Sequence, residues 1–221
     1  MSYYRNFGIV LGNPLWRIYL RWAYKTCTAD LEKLGFKPNF TKKDFTCLLC
    51  GVGNENTADE FIEFVHKRNT KAKIIIIDIA DEQTKAVNNL AQRKYKDSNI
   101  IVKKIDALEL DTFLPKQTVD WIETDGFPEF FDHDSLKKLL SVWKKILTKK
   151  GFITFRDSVT DSFIEGLVDY LRIWIAKVWL EITVYSHTRN ELRKLFTSVG
   201  FRYTEHSTVL PTFRRYSLIN K

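Results

Sequence analysis

The stretch DFTCLLCGVGNENTADEF, residues 44–61, decides the fold, because it offers two incompatible chemistries a few positions apart. Cys47 and Cys50 form a CxxC pair, and the glycine turn Gly51-Val52-Gly53 follows directly. Redox CxxC pairs open a helix, whose N-terminal dipole stabilises a thiolate, and zinc pairs sit on exposed turns. Here both cysteines belong to a short apolar run that reads as a strand. Side chains three apart on a strand point to opposite faces, so the two thiols cannot share a metal or close a disulfide. No second Cys or His pair stands at a zinc spacing, so no metal is expected and both cysteines read as small buried hydrophobes. The glycines carry the signal instead. A strand, Gly-x-Gly and a helix starting near Asn56 or Thr57 put backbone N–H groups and a helix N-terminus at the carboxyl edge of a sheet, where anionic or nucleotide ligands bind.

Outward from this stretch the chain alternates. Upstream, PLWRIYLRWAYKTCTADLEKLGF reads as a helix with Pro14 in its first turn and Gly35 at its end. Downstream, AKIIIIDIA, NIIVKKID, TVDWIETD and FITFRDS are strands. Between them lie helical NTADEFIEFVHKRN, DEQTKAVNNLAQRKYKD, a short LELDTFL and HDSLKKLLSVWKKILTKKG. Strands nearly solid in Val, Ile and Leu between amphipathic helices indicate a parallel sheet covered on both faces. After Ser158 comes a long apolar helical stretch, DSFIEGLVDYLRIWIAKVWLEI, and then the amphipathic TRNELRKLFTSVG. The last two strands, FRYTEHSTV and TFRRYSLINK, are joined too closely for a crossover helix and should pair antiparallel. Asp78 ends the second strand, about 25 residues beyond Gly53, where an acid can accept from both hydroxyls of a ribose, and Asp106 ends the third.

The 221 residues suffice for one well-buried domain, and a hydrophobic content of 44% with 16 Phe, 9 Tyr and 6 Trp excludes a disordered chain. An excess of 35 Lys and Arg over 27 Asp and Glu gives +8, which suits anionic partners; many lysines nevertheless fall on polar helix faces, so nucleic acid is admitted but not favoured. Three cysteines, and an N-terminus without a basic start followed by an apolar run, lead to the expectation of a soluble cytoplasmic protein.

With these residues in view the chain resembles the class I S-adenosylmethionine-dependent methyltransferases over roughly residues 45–221. Gly51-Val52-Gly53 is similar to the glycine motif, Asp78 with Ile79 to the ribose-binding position, and Asp106-Ala107 to the pair beside the adenine. The resemblance implies a Rossmann-like α/β three-layer sandwich with a mostly parallel seven-stranded sheet and an antiparallel last strand. It also implies S-adenosyl-L-methionine as cofactor. The expected organisation is a single domain: an N-terminal helical cap over 1–43, a cofactor-binding core over 44–158, a helical insertion over 159–187, and a last helix with terminal hairpin over 188–221. Two departures stand out. Where the family usually carries an acid two residues before the first glycine, this chain has Leu49, and where it often has a third glycine, this chain has Glu55. Glu55 either supplies the missing charge or complements the positive end of the following helix.

Methyl transfer from a sulfonium needs chiefly an aligned acceptor, with a base only where the acceptor loses a proton. The resemblance places Glu123-Thr124-Asp125-Gly126-Phe127-Pro128 beside the transferring group. Asp125 is the first candidate to orient or deprotonate an acceptor and Glu123 the second, while Glu123 and Thr124 also border the cofactor. Tyr3, Tyr4, Phe127, Tyr185 and His187 are candidates for contact with the acceptor. RNA base methylases of similar fold carry DPPY or NPPY at the fourth strand, and ETDG here argues against nucleobase amino groups. The leading expectation is methyl transfer to an O or N atom of a small, fairly hydrophobic acceptor. The alternatives are an RNA-directed methyltransferase or RNA-binding module, a membrane-associated lipid methyltransferase, and an interaction protein with a degenerate pocket. The aromatic N-terminal segment and insertion read as a lid, as packing on the sheet or at a homodimer contact, or as a membrane surface, with Arg17 and Arg21 one turn apart among Trp and Tyr.

Overall fold

The structure is a computed structural model and describes residue 8, residues 11–210 and residues 212–221. Helix α1 (Pro14–Asp30) starts where the Asn13 side chain accepts from the Leu15 N–H and proline fills the first helical position. It ends through a 3-10 turn, Leu31–Leu34, at Gly35. Then follow β1 (Thr46–Cys50), α2 (Glu55–His66), β2 (Lys73–Asp78), α3 (Asp81–Lys94), β3 (Ile100–Lys104), the single turn α4 (Leu110–Phe113), β4 (Val119–Asp125), α5 (His133–Ile146) and β5 (Leu147–Ser158). The chain closes with α6 (Phe163–Ile175), a π turn Ala176–Leu180, α7 (Arg189–Val199), β6 (Phe201–Ser207) and β7 (Phe213–Asn220).

The seven strands form one sheet in the order β3-β2-β1-β4-β5-β7-β6. Strands β1 to β5 are parallel, and β7 pairs antiparallel with both β5 and β6, as the short final connection required. The order reverses between β1 and β4, so the carboxyl ends of those two strands frame the crevice where ligands bind in open sheets of this kind.

Strand parity sorts the core. Leu48, Cys50, Ile75, Ile77 and Ile122 face one layer, with α5 and α7 upon it. Cys47, Leu49, Ile74, Ile76 and Trp121 face the other, beneath α1, α2 and α3. The two CxxC thiols therefore lie in opposite cores, both buried and free. Burial pushes the pKa of each well up, as a thiol without a charged partner requires.

Three expectations change in detail. Helix α2 begins at Glu55, because Asn54 rather than a later residue caps it by accepting from the Thr57 N–H at 3.1 Å. Helix α5 stops at Ile146, the last residue of its apolar stripe, and Leu147–Gly151 enters the sheet, where the β4–β5 register shifts after Val119. The apolar stretch after Ser158 is helical only to Leu180, where Glu181 takes a left-handed conformation with φ 56° and ends it. The Arg17 and Arg21 guanidiniums are both ion-paired to Glu60, whose side chain is fully buried, and Arg17 also reaches Asp59 at 3.1 Å. α1 is thus riveted to α2.

Trp121 is the hub of the α1 face, stacked on Phe152 at 5.6 Å and ringed by Phe61, Phe64, Phe40 and Tyr24 at 4.9 to 6.4 Å. Trp121→Ala is expected to lower stability by about 3–5 kcal/mol through the cavity it leaves, measured by urea denaturation.

Candidate functional site

The site lies at the carboxyl ends of the strands. Gly51, just after β1, has φ 70°, and a Cβ there would collide with the Phe127 ring; a Cβ on Gly53 would collide with Leu11. At Gly51 the left-handed backbone itself demands glycine, whereas at Gly53 the contact is with the movable end of Leu11. Behind this turn the Asp78 carboxylate at the end of β2 accepts from the Val52 N–H at 2.7 Å and from the Ala80 N–H at 2.8 Å. A carboxylate offers about four lone-pair sites, so Asp78 keeps acceptor capacity for a ligand hydroxyl. Burial pushes its pKa above the ordinary range, against the pull of these N–H donors. Asp106 caps the turn after β3 by accepting from the Leu108 N–H at 2.9 Å.

Two cavities flank the glycine turn and share Gly51 and Ile182. The first, of about 500 Å³, is bordered by Gly51, Asp78, Ile79, Asp106, Ala107, Phe127 and Tyr185. The second, of about 570 Å³, has Gly51, Gly53, Glu123, Thr124 and Asp125 at its base and apolar walls from the two additions to the sheet. Leu11 and Trp16 come from the N-terminal segment, and Val168, Leu171, Ile175 and Trp179 from the insertion. Thr124 Oγ1 donates to the Cys50 carbonyl at 2.6 Å, tying β4 to the start of the glycine turn.

The acids at the end of β4 are organised by Arg156 of β5, buried completely. Arg156 Nη1 donates to Glu123 Oε1 at 2.6 Å and Nε donates to Asp125 Oδ1 at 2.9 Å, while Thr154 donates to the other Glu123 oxygen. Both oxygens of Glu123 are engaged and its side chain is fully buried, so the reading of Glu123 as an acceptor-facing acid gives way to a structural ion pair. Asp125 differs: its Oδ2 is buried and has no hydrogen-bond partner among the described residues. One guanidinium cannot neutralise two carboxylates out of water, and burial together with the Asp125 charge pushes the Glu123 pKa up to about 7.

The remaining candidates divide. Val52 touches the site through its backbone N–H alone. Glu55 stands in the first turn of α2, as the reading of it as a complement to the positive helix end has it, and does not border either cavity, whereas Leu49 borders the second. His187 also borders neither; it is buried, and its Nε2 donates to the Phe131 carbonyl at 2.9 Å, pinning the end of the insertion to the loop after β4. Burial lowers its pKa. Tyr3 and Tyr4 lie outside the described residues. Sequence reasoning missed Arg156 and Glu129. An arginine inside the apolar strand FITFRDS was the available signal, since a buried guanidinium demands carboxylates nearby. Glu129 pairs with Arg172 of α6, a contact made through the insertion that no spacing reveals.

No family model matches the chain. Over 172 residues it is 23% identical to the nonribosomal peptide synthetase Ao415 of Arthrobotrys oligospora, covering 73% of this chain and 5% of that much longer protein. Solved structures align over nearly the whole chain. The magnesium protoporphyrin IX methyltransferase of Synechocystis PCC 6803, with bound SAH, matches with a TM-score of 0.62 at 13% identity, over 92% of this chain and 84% of that one. An O-methyltransferase family protein of Burkholderia thailandensis gives 0.64 at 11%, over 82% and 52%. The CMeT domain of the citrinin polyketide synthase gives 0.63 at 14%, over 90% and 52%. The chain has the class I methyltransferase fold. The mostly parallel seven-stranded sheet and its antiparallel last strand β7 agree with the expectation from sequence, and the α1 segment and α6 roof the second cavity.

The Glu123 carboxyl holds its proton in the folded state over a range where the unfolded chain has lost it, so ionising it costs stability as pH rises from about 4.5 to about 7. Glu123→Gln removes that cost. The stability of the variant relative to wild type should therefore rise between pH 5 and pH 7.5, read from denaturation midpoints at each pH.

Proposed function

We propose that the chain is an S-adenosylmethionine-dependent methyltransferase whose acceptor is a small, largely apolar molecule presenting an O or N atom. The carrying observation is the pair of cavities that meet at Gly51 on the switch point of the sheet, one edged by Asp78 and Asp106, the other walled by apolar side chains above Asp125. This chain's residues fit the cofactor. Gly51 and Gly53 leave backbone surface free of Cβ atoms, Asp78 and Asp106 stand ready for hydroxyl and amino groups, and Ile79 and Ala107 offer flat apolar contact. The neighbour solved with SAH supports the same assignment.

The cofactor supplies an already activated methyl group, so the protein's work is alignment and exclusion of water. The apolar walls from α1 and α6 enclose an acceptor and give it a dry environment. Asp125 is held in place by Arg156 through one oxygen and keeps the other without a partner among the described residues, which suits it to orient an acceptor hydroxyl or amine and take its proton. Burial raises its pKa, which makes it a better base than an exposed aspartate.

Isothermal titration of the purified chain with S-adenosylmethionine and with its demethylated product is expected to give saturable heats for both. Asp78→Asn should weaken both at least tenfold, because an amide cannot accept from two hydroxyls with both atoms. No heat with either compound in the wild type, or equal affinities in the variant, would remove the reading.

A further inference from the structure

Helix α6 is turned inside out. Its charged residues Glu165, Asp169 and Arg172 stand four and then three positions apart, on one stripe, and that stripe faces the protein. Glu165 pairs with Arg214 at 3.7 Å, Ser158 Oγ donates to Asp169 at 3.1 Å, and Arg172 bridges Asp169 and Glu129. The outward positions are apolar or aromatic: Phe163 is 89% exposed, Ile164 74%, Tyr170 70% and Trp174 54%, with Leu167 and Leu171 between them. Between Phe163 and Ile175 no exposed position carries a charge, and the nearest exposed charges beyond it are Asp161 on one side and the cation Lys177 on the other. Surface helices normally show the opposite arrangement. About ten such side chains present on the order of 1,000 Å², beyond the few hundred expected of the largest patch on a monomer.

This face continues inward. Val168, Leu171, Ile175 and Trp179 are exposed and also wall the second cavity, so one apolar surface runs from the outside into it. Beside it Val209, near the turn between β6 and β7 and 70% exposed, flanks Ile164 and Val168. At 13 residues α6 spans about 20 Å along its axis, and among the described residues no helix is long and apolar enough to cross a membrane.

We propose that α6 lies in the plane of an anionic phospholipid bilayer, its outward face among the acyl chains, with the mouth of the second cavity opening onto the lipid. Three observations favour a bilayer over a second copy of the chain. The net charge of +8 suits an anionic surface and opposes self-association. Aromatic residues at both ends and the middle of the face, with a lysine at its edge, match a helix resting at a lipid boundary. A second copy on this face would seal the apolar route into the cavity, whereas a bilayer leaves it supplied with amphiphiles. The docking stands without the methyltransferase reading; only the use of the cavity rests on it.

The test is co-sedimentation of the full chain with large unilamellar vesicles of phosphatidylcholine and phosphatidylglycerol in a 7:3 ratio, and with phosphatidylcholine alone. It is repeated with the double variant Phe163→Glu, Leu167→Glu, whose positions are exposed and border neither of the two site cavities. The wild type should pellet with the anionic vesicles, and the variant's partition coefficient should fall at least tenfold while its affinity for the demethylated cofactor stays within twofold. Wild type that remains in the supernatant overturns the proposal, as does an equal partition of the variant. A dimer in sedimentation velocity that the same variant dissolves, without vesicle binding, assigns the face to a second copy instead. Vesicle binding without any cofactor heat in either protein supports the docking and refutes only the methyltransferase reading.

Discussion

Arg156 is the constraint on which the rest of the site depends. It stands in register with Asp125 across the β4–β5 pair, as Thr154 does with Glu123 and Phe152 with Trp121. One face of two adjacent strands thus passes from a stacked aromatic pair, through a hydroxyl and a carboxylate, to a guanidinium and a carboxylate at the carboxyl edge. A buried guanidinium is tolerable only with such partners, and these bonds tie the end of β4 to β5. The same guanidinium lies 5.3 Å from the Tyr24 ring centre, so α1 is seated against the site by the group that organises it. Trp121 extends the chain of contacts by donating through Nε1 to Thr154 Oγ1 at 2.6 Å.

Around this fixed base the two additions to the sheet play unlike parts. α1 is bound firmly, by Glu60 beneath Arg17 and Arg21 and by Tyr24 among Phe61, Phe64 and Trp121, and contributes mainly core. α6 is held by polar contacts along its inner stripe and leaves its apolar surface outward. Ion pairs and hydrogen bonds fix the position of a helix without covering hydrophobic area, which is why the same element can wall a cavity and still expose Trp174 and Tyr170. The aromatic richness of the two segments looked equivalent in sequence, yet one is packing and the other is surface.

Much of the architecture was legible because periodicity is a local property. Solid β-branched strands, amphipathic helices and a glycine turn reported the parallel sheet, and the placing of Cys47 and Cys50 on opposite faces followed from strand geometry alone. The positions of Asp78 and Asp106 at strand ends could be read for the same reason. The place of His187 could not be read, because a residue in an irregular loop points wherever packing sends it, here onto the Phe131 carbonyl. Glu123 and Asp125 look alike in WIETD, and only the partner strand separates a saturated ion pair from a carboxylate with one oxygen unpartnered among the described residues.

The sequence by itself determined the order of elements, the parallel core, the antiparallel close and the edge of the sheet that carries the ligand residues, since each follows from hydrophobic period and turn chemistry within a few positions. Only the tertiary structure decided which acids are paired, which aromatic segment is buried and that α6 turns its charges inward. Those outcomes depend on contacts between residues far apart in the chain, Arg156 with Glu123 and Arg172 with Glu129, and desolvation makes each such pairing an all-or-none choice that no local pattern records.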